Sequence, residues 1–319
     1  MKSEKIVVTG CAGFIGYHLC NSLLSDGYEI LGIDTINDYY DVSLKFDRLG
    51  ILNKFNNFYF EKKNIADKDS ISKLFSSFKP KIVVNLAAQA GVRYSLKNPY
   101  AYLDSNLSGF INIIEQCRQN KIKGLIYASS SSVYGGNKAI PFDENDRVDK
   151  PVSLYGATKR ANELIAFSYS NLYNLNTTGL RFFTVYGPWG RPDMAMFIFT
   201  KNILQKKPIQ VFNNGKMKRD FTYIDDIISG IRCAIDKNYA CEIFNLGNNQ
   251  SVELLHMINL IEKEINRKAI IDFQPLQPGD VIESFAEIKK SEKKLNFNPR
   301  TSIDIGIKKF IEWYKDYHD

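Results

Sequence analysis

A tyrosine and a lysine four residues apart, Tyr155 and Lys159, follow a run of four serines at positions 129–132. Residues i and i+4 share one face of a helix, so the Lys159 ammonium can lie beside the Tyr155 ring and favour the phenolate. A tyrosine ordinarily has a pKa near ~10, and a pKa lowered toward ~7 would make it a general base. This spacing is common in lysine-rich helices, so the partners of the pair decide whether it is catalytic.

A glycine-rich turn near the N-terminus supplies such a partner. The apolar segment 5–9 predicts a buried strand and runs directly into a G-x-x-G-x-x-G motif formed by Gly10, Gly13 and Gly16. Gly10 permits the bend, Gly13 lets backbone amides approach a pyrophosphate, and Gly16 lets the next helix pack on the strand. The motif predicts a dinucleotide site at the start of a helix over residues 14–25.

An acidic residue follows at the spacing that a dinucleotide site requires. Asp34 ends the apolar stretch 28–33 and lies eighteen residues after Gly16. Its carboxylate can accept hydrogen bonds from the adenosine ribose and would repel a 2′-phosphate, and no arginine follows immediately. The sequence therefore predicts NAD rather than NADP as the cofactor.

Apolar segments alternate with helical patterns through the first half of the chain. Further strands are predicted at residues 57–61, 82–87, 125–128 and 177–180. This alternation predicts an α/β fold with a Rossmann-like doubly wound parallel sheet, whose carboxyl strand ends line one crevice. After residue 185 the alternation weakens and prolines become frequent. We expect an NAD-binding domain at 1–185 and a mainly substrate-binding, smaller C-terminal lobe at 186–319, with some segments returning to the first domain.

Composition narrows the class of protein. The chain has 319 residues, 44% of them hydrophobic, without an apolar run of about 18 residues or an N-terminal leader, so we expect a cytoplasmic enzyme and no membrane span. Charges of both signs are interspersed despite the net charge of +7, which argues against nucleic acid and favours a cleft for a small anionic substrate. The five cysteines contain no C-x-x-C and the three histidines are scattered, so we expect free thiols and no metal site.

Longer motifs resemble the extended short-chain dehydrogenase/reductase family and, within it, the nucleotide-sugar epimerases. The match spans nearly the whole chain and includes S-S-S-S-V-Y-G from Ser129, R-F-F-T-V-Y-G-P from Arg181, R-D-F-T-Y-I-D-D from Arg219 and P-G-D ending at Asp280. The segments 37–41, 88–95 and 187–194 are most similar to UDP-glucuronate 4-epimerases. Those enzymes interconvert UDP-glucuronate and UDP-galacturonate.

The resemblance implies a mechanism. Tyr155 removes the sugar O4 proton while hydride passes from C4 to the nicotinamide, the bound 4-keto sugar turns over, and hydride returns to its other face without net redox. Lys159 would also hold the nicotinamide ribose, and Ser130, or its neighbours Ser131 and Ser132, would hydrogen-bond O4. Related dehydratases and decarboxylases carry an acid one or two places after that serine, so the serines found here favour epimerisation.

The predicted site residues fall into three groups. The expected catalytic residues are Tyr155, Lys159, Ser130 and Ser132. The expected cofactor-binding residues are Gly10, Gly13, Phe14, Ile15, Gly16, Asp34, Asn64, Ile65, Leu86, Ala87, Ala88, Gln89, Tyr155 and Lys159. In the family, Arg219 would hold the diphosphate, and Thr184, Arg191 or Arg93 would meet a sugar carboxylate. The expected substrate-binding residues are therefore Arg93, Ser130, Ser131, Ser132, Thr184, Arg191, Arg219 and Asp280.

Alternatives remain for partners and substrate. Residues 102–117 and 155–173 carry apolar residues at helical spacing, and in this family the equivalent helices pair in a homodimer, although packing within one chain gives the same pattern. A 4-epimerase acting on UDP-N-acetylhexosamines or their uronic acids is the second enzyme candidate. A protein of this fold that only senses NAD would typically lack the tyrosine or the lysine, and this chain has both.

Overall fold

Seven short apolar strands form one parallel sheet at the centre of the molecule, in a computed structural model that describes residues 4–277 and 280–318. The strands are β1 Lys5–Thr9, β2 Glu29–Asp34, β3 Phe58–Lys62, β4 Ile82–Asn85, β5 Gly124–Ser130, β6 Thr177–Phe182 and, later in the chain, β11 Cys241–Leu246. Their order across the sheet is β11-β6-β5-β4-β1-β2-β3. The order reverses between β1 and β4, and ligands of doubly wound sheets bind at such a switch point.

Helices cover both faces of this sheet because its strands are apolar on both sides. Along β1, Ile6 and Val8 belong to one core cluster and Val7 to the other, as the two-residue period of a strand requires. The helices are α1 Phe14–Ser25, α2 Ser43–Leu52, α3 Lys68–Phe78, α4 Tyr94–Lys97, α5 Pro99–Tyr102, α6 Gly109–Gln119, α7 Leu154–Tyr173, α8 Ala195–Leu204, α9 Ile224–Lys237, α10 Leu254–Ile265, α11 Lys289–Leu295 and α12 Ile303–His318. None of the helices in the described ranges is long and apolar enough to cross a membrane.

Short strands in the second half form three small sheets above the carboxyl edge of the large one. These strands are β7 Thr184–Tyr186, β8 Pro208–Phe212, β9 Lys218–Arg219, β10 Phe221–Tyr223, β12 Val252–Glu253, β13 Ile270–Gln274 and β14 Glu283–Ser284. They pair as β10-β7, β12-β9-β14 and β13-β8. Because residues of β7, β8, β9, β13 and β14 line the same cavity as the ends of β1, β4 and β5, these small sheets enclose the crevice predicted from the sequence.

The doubly wound fold predicted from the sequence is confirmed, with shifts at several boundaries. Helix α1 has the predicted bounds, whereas β4 ends at Asn85 rather than residue 87. The predicted helix 102–117 is interrupted, because residues 103–108 form a π-helical turn between α5 and α6. The division at residue 185 stays a prediction, although β11 from the second half does pair with β6.

Candidate active site

The junction of β1 and α1 requires glycine at two positions, Gly10 and Gly16. Gly10 has a φ of +71°, and a Cβ there would lie 2.8 Å from the Ala87 nitrogen. A Cβ on Gly16 would lie 2.0 Å from the Gly10 carbonyl oxygen. The backbone can therefore approach a ligand closely at the start of α1, where the free N–H groups of a helix favour anions. This cradle fits the pyrophosphate of NAD.

The carboxylate of Asp34 lies at the end of β2, beside that turn. Its Oδ2 accepts from the Ala12 backbone N–H at 3.2 Å and its Oδ1 from the Ile36 N–H at 2.9 Å, which fixes the side chain at the cavity wall. A buried lysine, Lys45, lines the same wall and donates to the Asn37 carbonyl oxygen at 2.7 Å. The sequence analysis missed Lys45. The signal that could have found it is a lysine on the apolar face of the helix at 43–52.

The trio of Ser130, Tyr155 and Lys159 meets at the carboxyl end of β5. Helix α7 starts just before Tyr155, capped by the Ser153 hydroxyl, which accepts from the Gly156 N–H at 3.0 Å. A Cβ on Gly156 would lie 2.5 Å from the Ser132 carbonyl oxygen, so a glycine after Tyr155 allows α7 to pack directly against the serine turn. Lys159 Nζ donates to the Ala128 carbonyl oxygen at 2.9 Å and lies 5.9 Å from the centre of the Tyr155 ring.

The electrostatics of Tyr155 differ from the expectation. Burial raises the pKa of Tyr155, and the neighbouring Ser130 hydroxyl and the charge of Arg191 lower that pKa. Burial lowers the pKa of Lys159 to about 8. The Lys159 ammonium lies over the Tyr155 ring, and its role in favouring the phenolate stays a prediction. The groups that lower the pKa of Tyr155 in the structure are Ser130 and Arg191, and burial outweighs both of them.

Two buried networks hold the trio in place, and the sequence analysis missed both. Ser129 Oγ donates to Glu163 Oε1 at 2.6 Å, and Glu163 pairs with Arg181 at 2.8 Å. The Ser129 hydroxyl is therefore bound to Glu163 rather than to Ser130. Asn106, in the π-helical turn, accepts from the Gln89 N–H at 2.8 Å and donates to Thr158 Oγ1 at 3.0 Å. The loop after β4 is thereby tied to the turn of α7 that carries Lys159.

Three arginines line the same cavity as Tyr155 and Ser130. Arg191 forms a two-pronged pair with Asp193, with Nε to Oδ1 at 3.0 Å and Nη2 to Oδ2 at 2.5 Å. Arg93 pairs with Asp280 at 2.7 Å. Arg219 donates to the carbonyl oxygens of residues 218 and 282, and burial lowers its pKa. The predicted residue Asp280 is thus an arginine partner, whereas Pro278 and Gly279 of the same motif lie outside the described residues.

Every predicted site residue lines one cavity of about 990 Å³. We call the part of this cavity lined by the glycine turn, Asp34, Asn64, Ile65 and residues 86–89 the cofactor end, and the part lined by Thr184, Arg93, Arg191, Arg219 and Asp280 the sugar end, after the roles predicted for these residues. The same cavity is also lined by Ser130, Ser131, Ser132, Tyr155 and Lys159. The cavity also contains residues that the sequence analysis did not select, among them Asn37, Tyr39, Tyr40, Lys45, Asp193 and Phe212.

Fold and site together define a protein of the dinucleotide-binding, doubly wound class with a serine, tyrosine and lysine in its cavity, and comparison with known proteins gives the family. The chain belongs to the NAD dependent epimerase/dehydratase family, whose profile matches residues 6–247. The predicted family and the prediction of NAD are confirmed, since solved structures similar to this chain contain NAD.

Individual relatives cover almost the whole chain. Protein CapI of Staphylococcus aureus is 49% identical over 98% of this chain and 99% of its own length. UDP-glucuronate 4-epimerase 2 of Arabidopsis thaliana is 44% identical over 98% of this chain and 76% of its own. The crystal structure of UDP-glucuronic acid 4-epimerase from Bacillus cereus, in complex with UDP-glucuronic acid and NAD, has a TM-score of 0.94 at 34% identity and covers 98% of this chain and 100% of that one.

Proposed function

We propose that this protein interconverts UDP-glucuronate and UDP-galacturonate by NAD-dependent epimerisation at C4. The observation that carries the proposal is Arg191, a guanidinium in the same cavity wall as Tyr155 and Ser130 and close enough to lower the pKa of Tyr155. A guanidinium beside the reacting sugar suits a carboxylate. The Arabidopsis relative and the Bacillus cereus structure support the same substrate.

Tyr155 carries the proton steps of the proposed reaction. It takes the proton from the sugar O4 as the C4–H bond breaks and returns a proton to O4 after the sugar has turned. Ser130, at the end of β5 beside the phenol, hydrogen-bonds O4 and lowers the pKa of Tyr155. Lys159, anchored on the Ala128 carbonyl oxygen, is protonated below about pH 8 and lies where the nicotinamide ribose would be held.

The cofactor would be held by the glycine turn, by Asp34 at the adenosine ribose and by the loop at residues 86–89. When bound, NAD accepts the hydride from C4 and gives it back to the same carbon. Ser131 and Ser132 occupy the positions where related dehydratases and decarboxylases carry an acid. Because positions 131 and 132 carry no acidic side chain, neither can promote elimination from the keto sugar or loss of its carboxylate. This supports epimerisation.

The substrate anchors follow from the charges at the sugar end. Arg219, whose Nη1 is bound to two backbone carbonyl oxygens, is assigned to the diphosphate. Arg191 is assigned to the sugar carboxylate with Thr184 beside it, and the pair of Arg93 and Asp280 forms a polar rim. Of these anchors, Arg191, Arg219 and Asp280 belong to the proposed substrate-binding lobe at 186–319, whereas Thr184 and Arg93 precede it.

A homodimer is part of the proposal. Helices α6 and α7 pack side by side, and large apolar side chains on them or just before α6 are exposed, with Leu103 42%, Ile111 38%, Leu164 53% and Phe167 62% accessible. An apolar surface of this kind suits a second copy of the chain. Light scattering of the purified protein tests this. Phe167→Glu should give a monomer, and the same change at Phe273, exposed on β13, should not.

We also place the reaction in the cytoplasm. Cys11, Cys20 and Cys117 are buried free thiols, which suits a reducing compartment. Cell fractionation, with detection of an epitope-tagged form of the protein in each fraction, tests the placement.

The direct test of the proposed activity is to incubate the purified protein with UDP-glucuronate and follow the sugar H4 signal by NMR. We expect UDP-galacturonate to appear without net reduction of NAD. Conversion of UDP-N-acetylglucosamine or its uronic acid, but not of UDP-glucuronate, would assign the substrate to the second candidate. No turnover of any of these nucleotide sugars by protein with bound NAD would contradict both assignments.

A further inference from the structure

The guanidinium assigned to the sugar carboxylate already has a carboxylate partner within the chain. Arg191 gives Nε and Nη2, the edge of the guanidinium that normally binds a carboxylate with two hydrogen bonds, to Asp193. The side chain of Asp193 is in turn held by the Tyr39 hydroxyl, which donates to Oδ2 at 3.1 Å. The pair is largely buried, with side-chain accessibilities of 22% and 27%.

One side of the Arg191 guanidinium remains for an external ligand. Within residues 4–277 and 280–318, Nη1 donates to no protein acceptor. A sugar carboxylate can therefore approach only from the Nη1 side, because Asp193 occupies the edge formed by Nε and Nη2. The negative charge of Asp193 also offsets much of the attraction between Arg191 and an anion in the cavity.

The reaction requires that the contact between the protein and the sugar carboxylate can be broken. Between removal and return of the hydride the sugar must turn so that its other face meets the cofactor, and a carboxylate on its ring moves with it. A two-pronged bond formed in a water-poor cavity would hold the sugar in one orientation and stabilise the bound ground state. Binding of that kind lowers KM without accelerating the reaction, and slows any step that must break it.

We propose that Asp193 is a positioning residue that keeps the binding of the sugar carboxylate by Arg191 weak, by occupying one edge of the guanidinium and offsetting its charge, so that the keto sugar can turn and the product can leave. The inference rests on the proposed action on a uronate. It adds a specificity role for a residue that is not expected to touch the reacting atoms.

Asp193→Asn is the substitution that tests this role, since it removes the charge and keeps the shape. We expect the Kd and KM for UDP-glucuronate to fall about 5- to 20-fold, as Arg191 gains a charge-assisted hydrogen bond to the substrate. We expect kcat to fall as well, by about 10-fold, because the tighter bond must break during each turnover. The Kd for UDP-glucose should change by less than about twofold, since that sugar has no carboxylate.

Structural damage would leave a different signature. A misfolded or loosened site raises KM and lowers kcat, whereas the inference requires both to fall. Asp38→Asn is the matched control, because it removes one carboxylate from the same loop as Tyr39, on an exposed side chain outside the cavity wall. That variant should retain the kcat and KM of the parent protein.

A measurement on the unaltered protein keeps the inference testable if Asp193→Asn fails to fold. Calorimetric titration should give Kd values for UDP-glucuronate and UDP-glucose within about tenfold of each other, as a weak, offset ion pair implies. A preference for the uronate of more than about 100-fold would overturn the inference while leaving the epimerase proposal intact. An unchanged or raised KM in a folded Asp193→Asn would do the same. Absence of UDP-glucuronate turnover in the unaltered protein would instead remove the proposed function, and the inference with it.

Discussion

The lysine and arginines at the cofactor end and the sugar end of the cavity have different partners. At the cofactor end, Lys45 and Arg48 are both buried and donate to neutral groups, Lys45 to Asn37 and Arg48 to the Ala12 carbonyl oxygen at 2.8 Å and the Tyr40 hydroxyl at 3.0 Å. Among the described residues neither of them forms an ion pair. At the sugar end, Arg191 and the exposed Arg93 each pair with an aspartate, whereas Arg219 donates to backbone carbonyl oxygens.

The difference fits the ligands proposed for the two ends. Lys45 and Arg48, which lack an ion-pair partner among the described residues, favour an anion beside the glycine turn, where the pyrophosphate is proposed to bind. An arginine that already has a carboxylate partner, as Arg191 has, binds a second anion weakly, which suits a substrate that must turn and leave.

The largest expected effect lies where the two ends meet, at Tyr155. Tyr155→Phe removes the proton carrier and leaves the ring, so kcat should fall by about 10²- to 10⁴-fold. Bound NAD and the Kd for UDP should stay close to those of the parent protein, because neither end loses a binding group. Turnover by NMR, NAD content by absorbance and UDP titration measure the three quantities. A kcat within a few-fold of the parent would contradict the role of Tyr155.

A change confined to the sugar end is the next largest. Arg191→Met removes a charged donor to the sugar carboxylate and leaves Asp193 without its partner, and the KM for UDP-glucuronate should rise about 5- to 10-fold. NAD content should not change, since the cofactor end is intact. Arg300→Met, on an exposed side chain outside the cavity wall, is the matched control. Loss of NAD from the Arg191 variant would break the separation of the two ends.

A change confined to the cofactor end should reduce NAD binding and leave UDP binding intact. In Gly16→Ala the new Cβ would lie 2.0 Å from the Gly10 carbonyl oxygen, so the turn must shift, at a cost of about 1–3 kcal/mol in stability. Purified protein should carry less NAD, and added UDP should still bind. Gly50→Ala is the control, because Gly50 lies within α2 with no atom near a Cβ, and alanine there should stabilise the helix by about 0.5–1 kcal/mol. Equal NAD content in both variants would count against the assigned cradle.

The smallest effect is on pH dependence. Burial lowers the pKa of Lys159 to about 8 from an ordinary value of 10.5, so kcat/KM should fall above pH 8 as the ammonium is lost, by about tenfold per pH unit at most. Stability should change in the opposite direction. Between pH 8 and 10.5 the unfolded chain binds a proton that native Lys159 has released, so the free energy of unfolding gains from rising pH.

Comparison with Lys159→Met isolates this contribution to stability. Urea unfolding at pH 7.5 and pH 9.5 should show that the parent protein gains stability relative to the variant at the higher pH. A constant difference between the two proteins would mean that the pKa of Lys159 is the same in the native and unfolded chains.

The sequence predicted the cofactor end well because its constraints are local. The spacing of Gly10, Gly13 and Gly16 after a strand admits few structures, and Asp34 follows at the end of the next strand. The helical spacing of Tyr155 and Lys159 likewise predicted that they share one face. Strand ends of a parallel sheet converge by geometry, so the predicted residues at the ends of β4 and β5 could be gathered into one cavity without a structure.

The parts that were missed depend on contacts between distant segments or on burial. Asn106 links Gln89 to Thr158 across a π-helical turn that no residue pattern predicts, and Asp193 acquires its role only because Tyr39 and Arg191 converge on it. The pKa of Tyr155 could not be predicted from the sequence, because it depends on the depth of burial and on the distances to neighbouring groups such as Lys159. The sequence therefore identified the candidate site residues, and the structure identified the residues that contact them.

The central claim is that hydride leaves and returns to the same sugar carbon within one closed site. UDP-glucuronate carrying deuterium at C4, incubated with the protein in ordinary water, tests this claim directly by NMR and mass spectrometry. The account predicts UDP-galacturonate that retains deuterium at C4 at full occupancy, with no solvent hydrogen gained there. Product with solvent hydrogen at C4, or deuterium lost to added free NAD, would contradict it.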